Sequence, residues 1–479
     1  MPEQLQRNLS AFLEGASKAA DVIRDYIRIE GKIRVVSHYD ADGLAAAGIL
    51  GKALNRMRAV FSIRIVKWID SRLIEELATE EPSLTVFTDL GGGNLDLIEK
   101  HLSQQILILD HHETTEKKLK NVLQVNPHLY GIDGSKEISG AGVTYLVAKA
   151  LDEINKDLAP IAVVGALADI QDRYPNRSLG GVNKLIVEEA VNAGKMAVDT
   201  DLLIFGRETR PIHKALAKTM NPFIPGISGE EDKALAFLVD LGIKPKEKDR
   251  WRVLRDLSEE EKKLLYSKLA TLLASKGYPV SHAQGLIGTV YTLIEEEPWT
   301  PLRDAREFSL LLNAAGRMKR PSLGVSICMG DRGSALEEVS KVLSEYRTMI
   351  TKFLSWALEE ERLEELESIY LLNGGGFIND SMIGTVATIL LNNLPKEEKP
   401  LIAFSIIEDE GIAKFSSRGT ESLVEKGLNL GEVMRLASKE HEGNGGGHDI
   451  AAGAQVPIEK LNAFIKMVDA LVGKQLEDD

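Results

Sequence analysis

The chain is poor in cysteine and in aromatic residues, with one cysteine in 479 residues and 5% Phe, Trp and Tyr together. A single thiol, Cys328, excludes a disulfide within the chain, and its apolar run 323–329 reads as a buried strand or helix segment where it packs rather than reacts. Nowhere do apolar residues continue for the ~18 positions that a membrane span needs. The first residues, with Glu3, Arg7 and Glu14, read as an amphipathic helix and not a signal peptide, so a cytoplasmic protein with no membrane partner is expected. Internal repeats and low-complexity tracts are absent, which excludes a solenoid.

A hydrophobic content of 44% with 27% charged residues describes a soluble globular chain, and 479 residues exceed what one core holds, so two or three domains are expected. The formal net charge of −14 is a weak argument against nucleic acid, because bound metal ions would neutralise several acids and local basic patches matter more than the total. Acidic runs such as 359–365 read as solvated helical faces. Abundant Lys and Glu with few aromatics fit a thermophile.

The most informative stretch is Ser37-His38-Tyr39-Asp40-Ala41-Asp42-Gly43, which ends the strand-like run 33–36 in an imidazole and two carboxylates. The runs 84–89 and 106–112 repeat that design, stopping in Asp89 and in Asp110-His111-His112. Helical patterns over 44–57, 72–78 and 95–102 alternate with them, the signature of βαβ units and a parallel sheet, where ligands collect at the carboxyl ends of the strands. A fourth apolar element, 161–169, again closes on carboxylate at Asp169. Singly, an Asp-x-Asp or a His pair is ordinary turn or capping chemistry. Four such segments in βα order point to one cluster of His38, Asp40, Asp42, Asp89, His111 and Asp169.

Two divalent ions about 3.5–4 Å apart can clamp the attacking and leaving oxygens of a phosphate ester and lower the pKa of a bound water towards ~7. Carboxylates at 40 and 42, beyond the end of a strand, can reach two neighbouring ions, and Asp89 is the candidate bridge between them. Without metal, so many converging acids would repel one another. Nitrogen mixed with oxygen suits two Mn²⁺ ions, with Mg²⁺ as a substitute, while zinc would lack its usual cysteine. His101, His128, His213, His282 and His441 have no strand-end setting and read as surface or packing residues.

The pattern changes near Phe205, where Pro- and Gly-containing stretches at 209–214 and 221–229 carry turn and linker chemistry. A mainly helical region over 231–298 follows, with Ser258 as an N-cap before three acids. Together these form an inserted domain over 206–300, whose basic run 244–252 reads as a solvated loop. Val339, Leu343, Tyr346, Ile350, Phe353 and Ala357 step by three or four and predict a connecting helix over 334–368, ~30 residues and about 45 Å long. Strands and helices alternate again over 369–479. There Gly443-Asn444-Gly445-Gly446-Gly447 precedes His448 and a small-residue helical start, whose N–H groups favour phosphate. With Ser416, Ser417 and Arg418 on a neighbouring strand, Gly445, Gly446, Gly447 and His448 are expected to bind phosphate, Arg418 through its bidentate fork.

His38-Tyr-Asp-Ala-Asp-Gly, Asp89, Asp110-His-His and Ala168-Asp169 together resemble the four signature motifs of the DHH phosphoesterase superfamily, and the glycine segment near the end resembles its DHH-associated domain. Ser139-Gly-Ala-Gly-Val-Thr-Tyr and Leu312-Asn-Ala-Ala-Gly-Arg-Met narrow the resemblance to RecJ-like exonucleases, over residues 30–195 and 303–479. One position departs from the bacterial pattern: Val36 stands where a histidine precedes the first metal-binding aspartate by four residues, and His38 replaces an aspartate. An inserted domain at this place looks like the archaeal RecJ relatives that bind the GINS replication complex.

The resemblance implies an α/β fold: a parallel-sheet DHH catalytic domain over 1–205, rejoined by 301–333 after the insertion, then the connecting helix and a smaller α/β DHH-associated domain. It implies a metal-dependent exonuclease on single-stranded DNA, from the 5′ end, with single-stranded RNA also open, acting in DNA replication or repair. Asp89 would bridge two Mn²⁺ ions, His38 and Asp40 holding one and Asp42, His111 and Asp169 the other. His112 would stabilise charge on phosphorus or protonate the leaving oxygen. A second domain gripping phosphates across a cleft would admit a flexible single strand and not a stiff duplex. Two other classes stand beside this one: a phosphodiesterase for short oligonucleotides or cyclic dinucleotides, and a non-catalytic GINS-binding replication scaffold. The long helix and insertion count against the first, the complete set of acids against the second.

Overall fold

The structure, a computed structural model, describes residues 3–477 apart from 116, 118, 220–221, 360–361 and 392–398. It divides into two compact units, Met1–Leu343 and Ser344–Asp479.

In the first unit, α1 (Glu3–Arg28) is followed by β1 (Ile33–His38), α2 (Ala41–Arg56), β2 (Phe61–Val66), α3 (Ser71–Ala78), β3 (Leu84–Thr88), α4 (Leu95–His101), β4 (Gln105–Leu109) and β5 (Val122–Val125). The strands form one parallel sheet in the order β2-β1-β3-β4-β5. Side chains alternate between its faces. Val36, Phe87, Ile106 and Ile108 join Ile74, Leu77 and Ile98 of α3 and α4 in one cluster. Val35, Val86, Leu107 and Leu109 are equally buried, and α1, α2 and α5 (Gly140–Leu151) also lie against strands of the sheet. The chain leaves β1 for β2 on one side and reaches β3 on the other, so the strand order reverses between β1 and β3. A crevice opens at such a reversal, at the carboxyl ends of the strands.

The chain continues through α6 (Ala159–Ala168), α7 (Gly181–Asn192), β6 (Met196–Leu202), α8 (Ile212–Ala217), α9 (Glu231–Asp240), β7 (Lys246–Glu247), β8 (Arg250–Trp251), α10 (Glu259–Ser275), α11 (Val280–Gln284) and β9 (Ile287–Leu293). β6 and β9 pair antiparallel along their length, so the region between them leaves and returns through one ribbon. That region has its own core, including Leu216, Leu238, Leu265 and Leu269. α10 opens on a capping box in which Ser258 and Glu261 each accept the other's backbone N–H. Then α12 (Ala305–Arg317) and α13 (Pro321–Cys328) pack back on α2.

After α14 (Ser334–Ala357), the second unit holds β10 (Leu363–Glu365), β11 (Tyr370–Asn373), α15 (Ile383–Leu391), β12 (Leu401–Ile407), β13 (Ile412–Arg418), α16 (Glu421–Glu425), α17 (Leu430–Glu440), β14 (Asn444–Gly447), β15 (Ala451–Pro457) and α18 (Leu461–Glu477). Its mixed sheet runs β10-β11-β12-β13-β15-β14, over a core of Phe404, Phe415, Met434 and Phe464.

The apolar element 161–168, whose unbroken run has no period to tell helix from strand, is a helix. Three expectations change. The region over 231–298 is not helical to its end, since 287–293 is strand β9. The connecting helix stops at Ala357, the last of its apolar steps; 363–365, read as part of a solvated helical face, pair instead with 370–372 at the sheet edge. The glycine-rich stretch 444–447 does not lead into a helix: it forms edge strand β14, and 451–457 form β15. Small residues suit the hairpin because α17 lies close against it.

α2 and α13 meet at Gly48, where an added Cβ would lie 2.2 Å from the Cβ of Cys328. Gly48→Ala is therefore expected to lower the unfolding free energy by about 1–3 kcal/mol, read by urea titration. A loss below about 0.5 kcal/mol, the size of an ordinary surface substitution, would mean that α13 is not seated there.

Candidate metal centre

The side chains expected to meet do so at the reversal between β1 and β3. His38 ends β1, and Asp40 caps α2, its Oδ1 accepting the Gly43 N–H at 3.0 Å. Asp42, in the first turn of α2, is fully buried and accepts the N–H groups of Gly140 (2.6 Å) and Ala141 (3.1 Å) at the start of α5. Donors there stabilise negative charge. Space for the acids is set by glycine: a Cβ at Gly140 would lie 2.6 Å from Asp89 Oδ1, and one at Gly165 would lie 2.2 Å from Asp42 Oδ1. Asp89, just after β3, takes φ +59, a left-handed conformation that turns its carboxylate into the crevice.

His111 follows β4. Its Nδ1 lies 2.7 Å from the Gly134 carbonyl, which can only accept, so Nδ1 carries a proton and Nε2 faces the acids. That Nε2 stands 3.1 Å from Asp169 Oδ2, 3.2 Å from Asp89 Oδ1 and 3.8 Å from Asp42 Oδ2. On the other side, His38 Nδ1 stands 2.9 Å from Asp40 Oδ2 and 3.6 Å from Asp89 Oδ2. Asp89 thus turns one oxygen towards each imidazole. Two groups result, His38–Asp40–Asp89 and Asp42–His111–Asp169, the ligating atoms of each lying within 4.8 Å of one another. Asp89, His111 and His112 form a third.

Burial raises the Asp42 carboxyl well above its ordinary range, and repulsion from Asp89 and Asp169 adds to it. Burial alone would depress His38 and His111. The acids overrule it, Asp40 at His38 and Asp169 with Asp89 at His111, and both imidazoles hold their protons well above the usual pH. Asp40 is lowered against its own burial, chiefly by His38.

His38 Nδ1, His111 Nε2 and both Asp89 oxygens are buried without a hydrogen-bond partner among the described residues. Donor atoms that converge at 3–4 Å without bonding one another fit divalent cations, and their mixed nitrogen and oxygen chemistry suits Mn²⁺. Carbonyl orientation of His111 through its other nitrogen is the usual second layer of such a site.

Asp110, quoted in the motif but given no role, is a positioning residue. Fully buried, it accepts the backbone N–H groups of His111 and Gly92 at 2.8 Å, and its Oδ1 holds His112 Nδ1 at 2.8 Å. Burial would lower His112, but the charge and hydrogen bond of Asp110, with the charge of Asp89, together raise the imidazole. His128, read as packing, holds the His111 carbonyl at 3.1 Å. The loop after Asp169 was also missed. Ile170, Asn176 and Arg177 take φ +55, +60 and +52, each costing ~1–3 kcal/mol. Buried Gln171 anchors the loop to Gly134 O (3.0 Å) and Asn183 (2.7 Å), and buried Asp172 to Arg177 (3.1 Å) and Arg306 (2.8 Å).

In the second unit, Ser416 shares a row with Gly446 through Gly453, Ser417 the next with Gly447 through Ala452, and Arg418 registers with Ala451. Ser417 is buried and donates to Ala452 O, and Arg418 Nε donates to Thr388 Oγ1 at 2.9 Å. Gly445 packs against the carbonyl of Met434, and Gly447 has φ +141, but a Cβ at Gly446 would meet open space. Packing explains the first two glycines and leaves the third free for a ligand. His448 N donates to Ala451 O in the turn.

Mn²⁺ must displace protons from His38 and His111, so uptake should release protons and affinity should fall as pH is lowered, the fall beginning above the ordinary range of an imidazole. Calorimetry in two buffers of different ionisation heat reads both effects. Asp89→Asn is expected to weaken uptake at least about tenfold; wild-type affinity in that variant would remove Asp89 from the site.

Three family profiles match the chain: the DHH family N-terminal domain over 32–166, the DHH-CID domain over 204–287 and the DHHA1 domain over 369–474. An uncharacterised protein of Methanocaldococcus jannaschii is 37% identical over 452 residues, covering 93% of this chain and 94% of that one. The single-stranded-DNA-specific exonuclease RecJ of Bacillus subtilis is 22% identical over 98% of the chain, which spans 49% of that protein's length. Among solved structures, Thermus thermophilus RecJ in complex with Mn²⁺ superposes with a TM-score of 0.60 at 20% identity, over 96% of this chain and 55% of that one. CDC45 from Entamoeba histolytica superposes with a TM-score of 0.62 at 12% identity, over 95% and 99%. These last two likenesses are of fold. The match to the Methanocaldococcus protein and the three profiles in chain order settle the family: this chain belongs to the DHH family.

Proposed function

We propose that this chain is a metal-dependent phosphodiester hydrolase, an exonuclease that removes nucleotides from single-stranded DNA from its 5′ end and also acts on single-stranded RNA, in DNA replication or repair. The observation that carries the reading is Asp89, whose two oxygens face two separate ligand groups. His38, Asp40 and Asp89 would hold one Mn²⁺, and Asp42, His111, Asp169 and Asp89 the other, with Mg²⁺ as a substitute. When bound, two such ions polarise the phosphate and lower the pKa of water. The relative in Bacillus subtilis, named as a single-stranded-DNA-specific exonuclease, supports the substrate class. The GINS complex of the replisome is the protein partner this reading carries, on the likeness to archaeal RecJ relatives.

The chain's own residues supply the rest. His112 is only partly exposed, and Asp110 fixes its Nδ1–H, so Nε2 is the atom that delivers a proton to the leaving oxygen. Arg418 and the open backbone at Gly446 would take phosphates of the strand in the second unit.

Strands of DNA and RNA labelled at either end, incubated with Mn²⁺, with Mg²⁺ and with chelator, test the reading and give its polarity and sugar preference. Asp89→Ala should abolish hydrolysis while leaving the folded spectrum intact. Appreciable turnover by that variant, or cleavage of dinucleotides but no long strand by wild type, would sink it. Because Asp110 raises His112, the acid form persists to higher pH, and rate should fall as pH rises through that value. Asp110→Asn should move this alkaline limb to lower pH and cut kcat by ~10²–10⁴; an unmoved limb would assign it to another group.

A further inference from the structure

The loop that leaves the metal centre carries two side chains that the fold does not use. Ile170 follows Asp169 directly, takes φ +55 and is 55% exposed. A β-branched residue rarely adopts that conformation. Glycine or asparagine would fit the turn better, and here the strained backbone holds an apolar side chain in solvent. Gln171 and Asp172 on its C-terminal side are buried and bonded on all flanks, so the conformation is imposed. Arg173 is exposed, and its Nε donates to Ile170 O at 3.1 Å. Among the described residues this is its one recorded bond, and no carboxylate pairs with it, whereas Arg177 and Arg306 nearby are both tied to Asp172. A guanidinium pinned through Nε keeps both terminal amino groups free in a fixed fork, the arrangement that matches phosphate.

We propose that Ile170 and Arg173 form a strand-binding subsite at the rim of the metal centre. Arg173 takes a backbone phosphate oxygen, and Ile170 packs against the base of the nucleotide next to the scissile bond. The subsite rests on the phosphodiester-hydrolase reading for its register, and on its own residues for binding.

Three variants test it: Ile170→Gly, Arg173→Ala and Arg173→Lys. Glycine takes positive φ without strain, so Ile170→Gly should keep or raise the melting temperature, which separates a lost contact from a lost fold. Its KM should rise about three- to tenfold on ends that bear a base, and the preference of wild type for a base-bearing over an abasic end should shrink. Fluorescence anisotropy of a labelled oligothymidylate, with chelator present, reads binding apart from turnover. There Arg173→Ala should weaken binding about tenfold and reduce the slope of log affinity against log salt by ~1, with Arg173→Lys recovering part. Wild-type KM, end preference, affinity and salt slope in these variants would overturn the subsite. If wild type hydrolyses no strand, the hydrolase reading falls, and the anisotropy comparison still decides the subsite.

Discussion

Like charges crowded into a space without water repel one another, and the first unit is built around holding several carboxylates together in spite of that. Asp42 and Asp89 are buried, with Asp40 and Asp169 at the margin. Two devices keep them there. The start of α5 gives Asp42 two backbone N–H groups, and the close approach of α5 to Asp89 and of α6 to Asp42 and Ala141 is possible because Gly140 and Gly165 carry no side chain. Asp89 is held by its backbone instead, with N–H bonded to Leu109 O across β4 and φ in the left-handed region. The cost of that conformation is of order 1–3 kcal/mol, small beside the several kcal/mol that burying an ion entails.

Such a cluster needs positive charge, and either protons or cations can supply it. Protons on His38 and His111 meet the need when they are available, which is why both imidazoles are raised although burial opposes it. Divalent cations meet the same need more completely, since one ion can face three donors while a proton faces one or two. Asp110 lies beside this competition. Its oxygens accept three backbone N–H groups and hold His112 Nδ1, so its part is to position. One pair of adjacent histidines therefore divides its labour: Gly134 O turns His111 inward, and Asp110 turns His112 outward.

How much of this was legible depended on whether the signal was local. The parallel sheet followed from apolar runs of five or six residues separated by helical periods, and the gathering of His38, Asp40, Asp42, Asp89, His111 and Asp169 followed from where those runs stop. The helical nature of 159–168 was not legible, because an element apolar on every side has no period. Nor was the end of α14, since Glu, Leu and Arg after Ala357 favour helix, and only pairing with the 370–372 edge decides otherwise. Asp110 and His128 act through contacts with backbone atoms far along the chain, which residue spacing does not encode.

Glycine illustrates the same limit from the other side. The four glycines of 443–447 look alike in sequence, yet they do different work. Gly443 and Gly445 are pressed by the carbonyls of Gln455 and Met434, and Gly447 needs its positive φ to enter the turn. Gly446 meets none of these demands, and its place in an edge strand leaves one side of its backbone unpaired by any neighbouring strand. A side chain there would cost the fold little and would block only what approaches the edge from outside. Ile170 presents the converse: a side chain where glycine would suit the backbone better, retained at an energetic cost while more than half of it stays in solvent. Positions where the fold is indifferent, or is made worse by the residue it carries, are where selection for something other than folding becomes visible, and in each unit of this chain such a position lies beside groups that match phosphate.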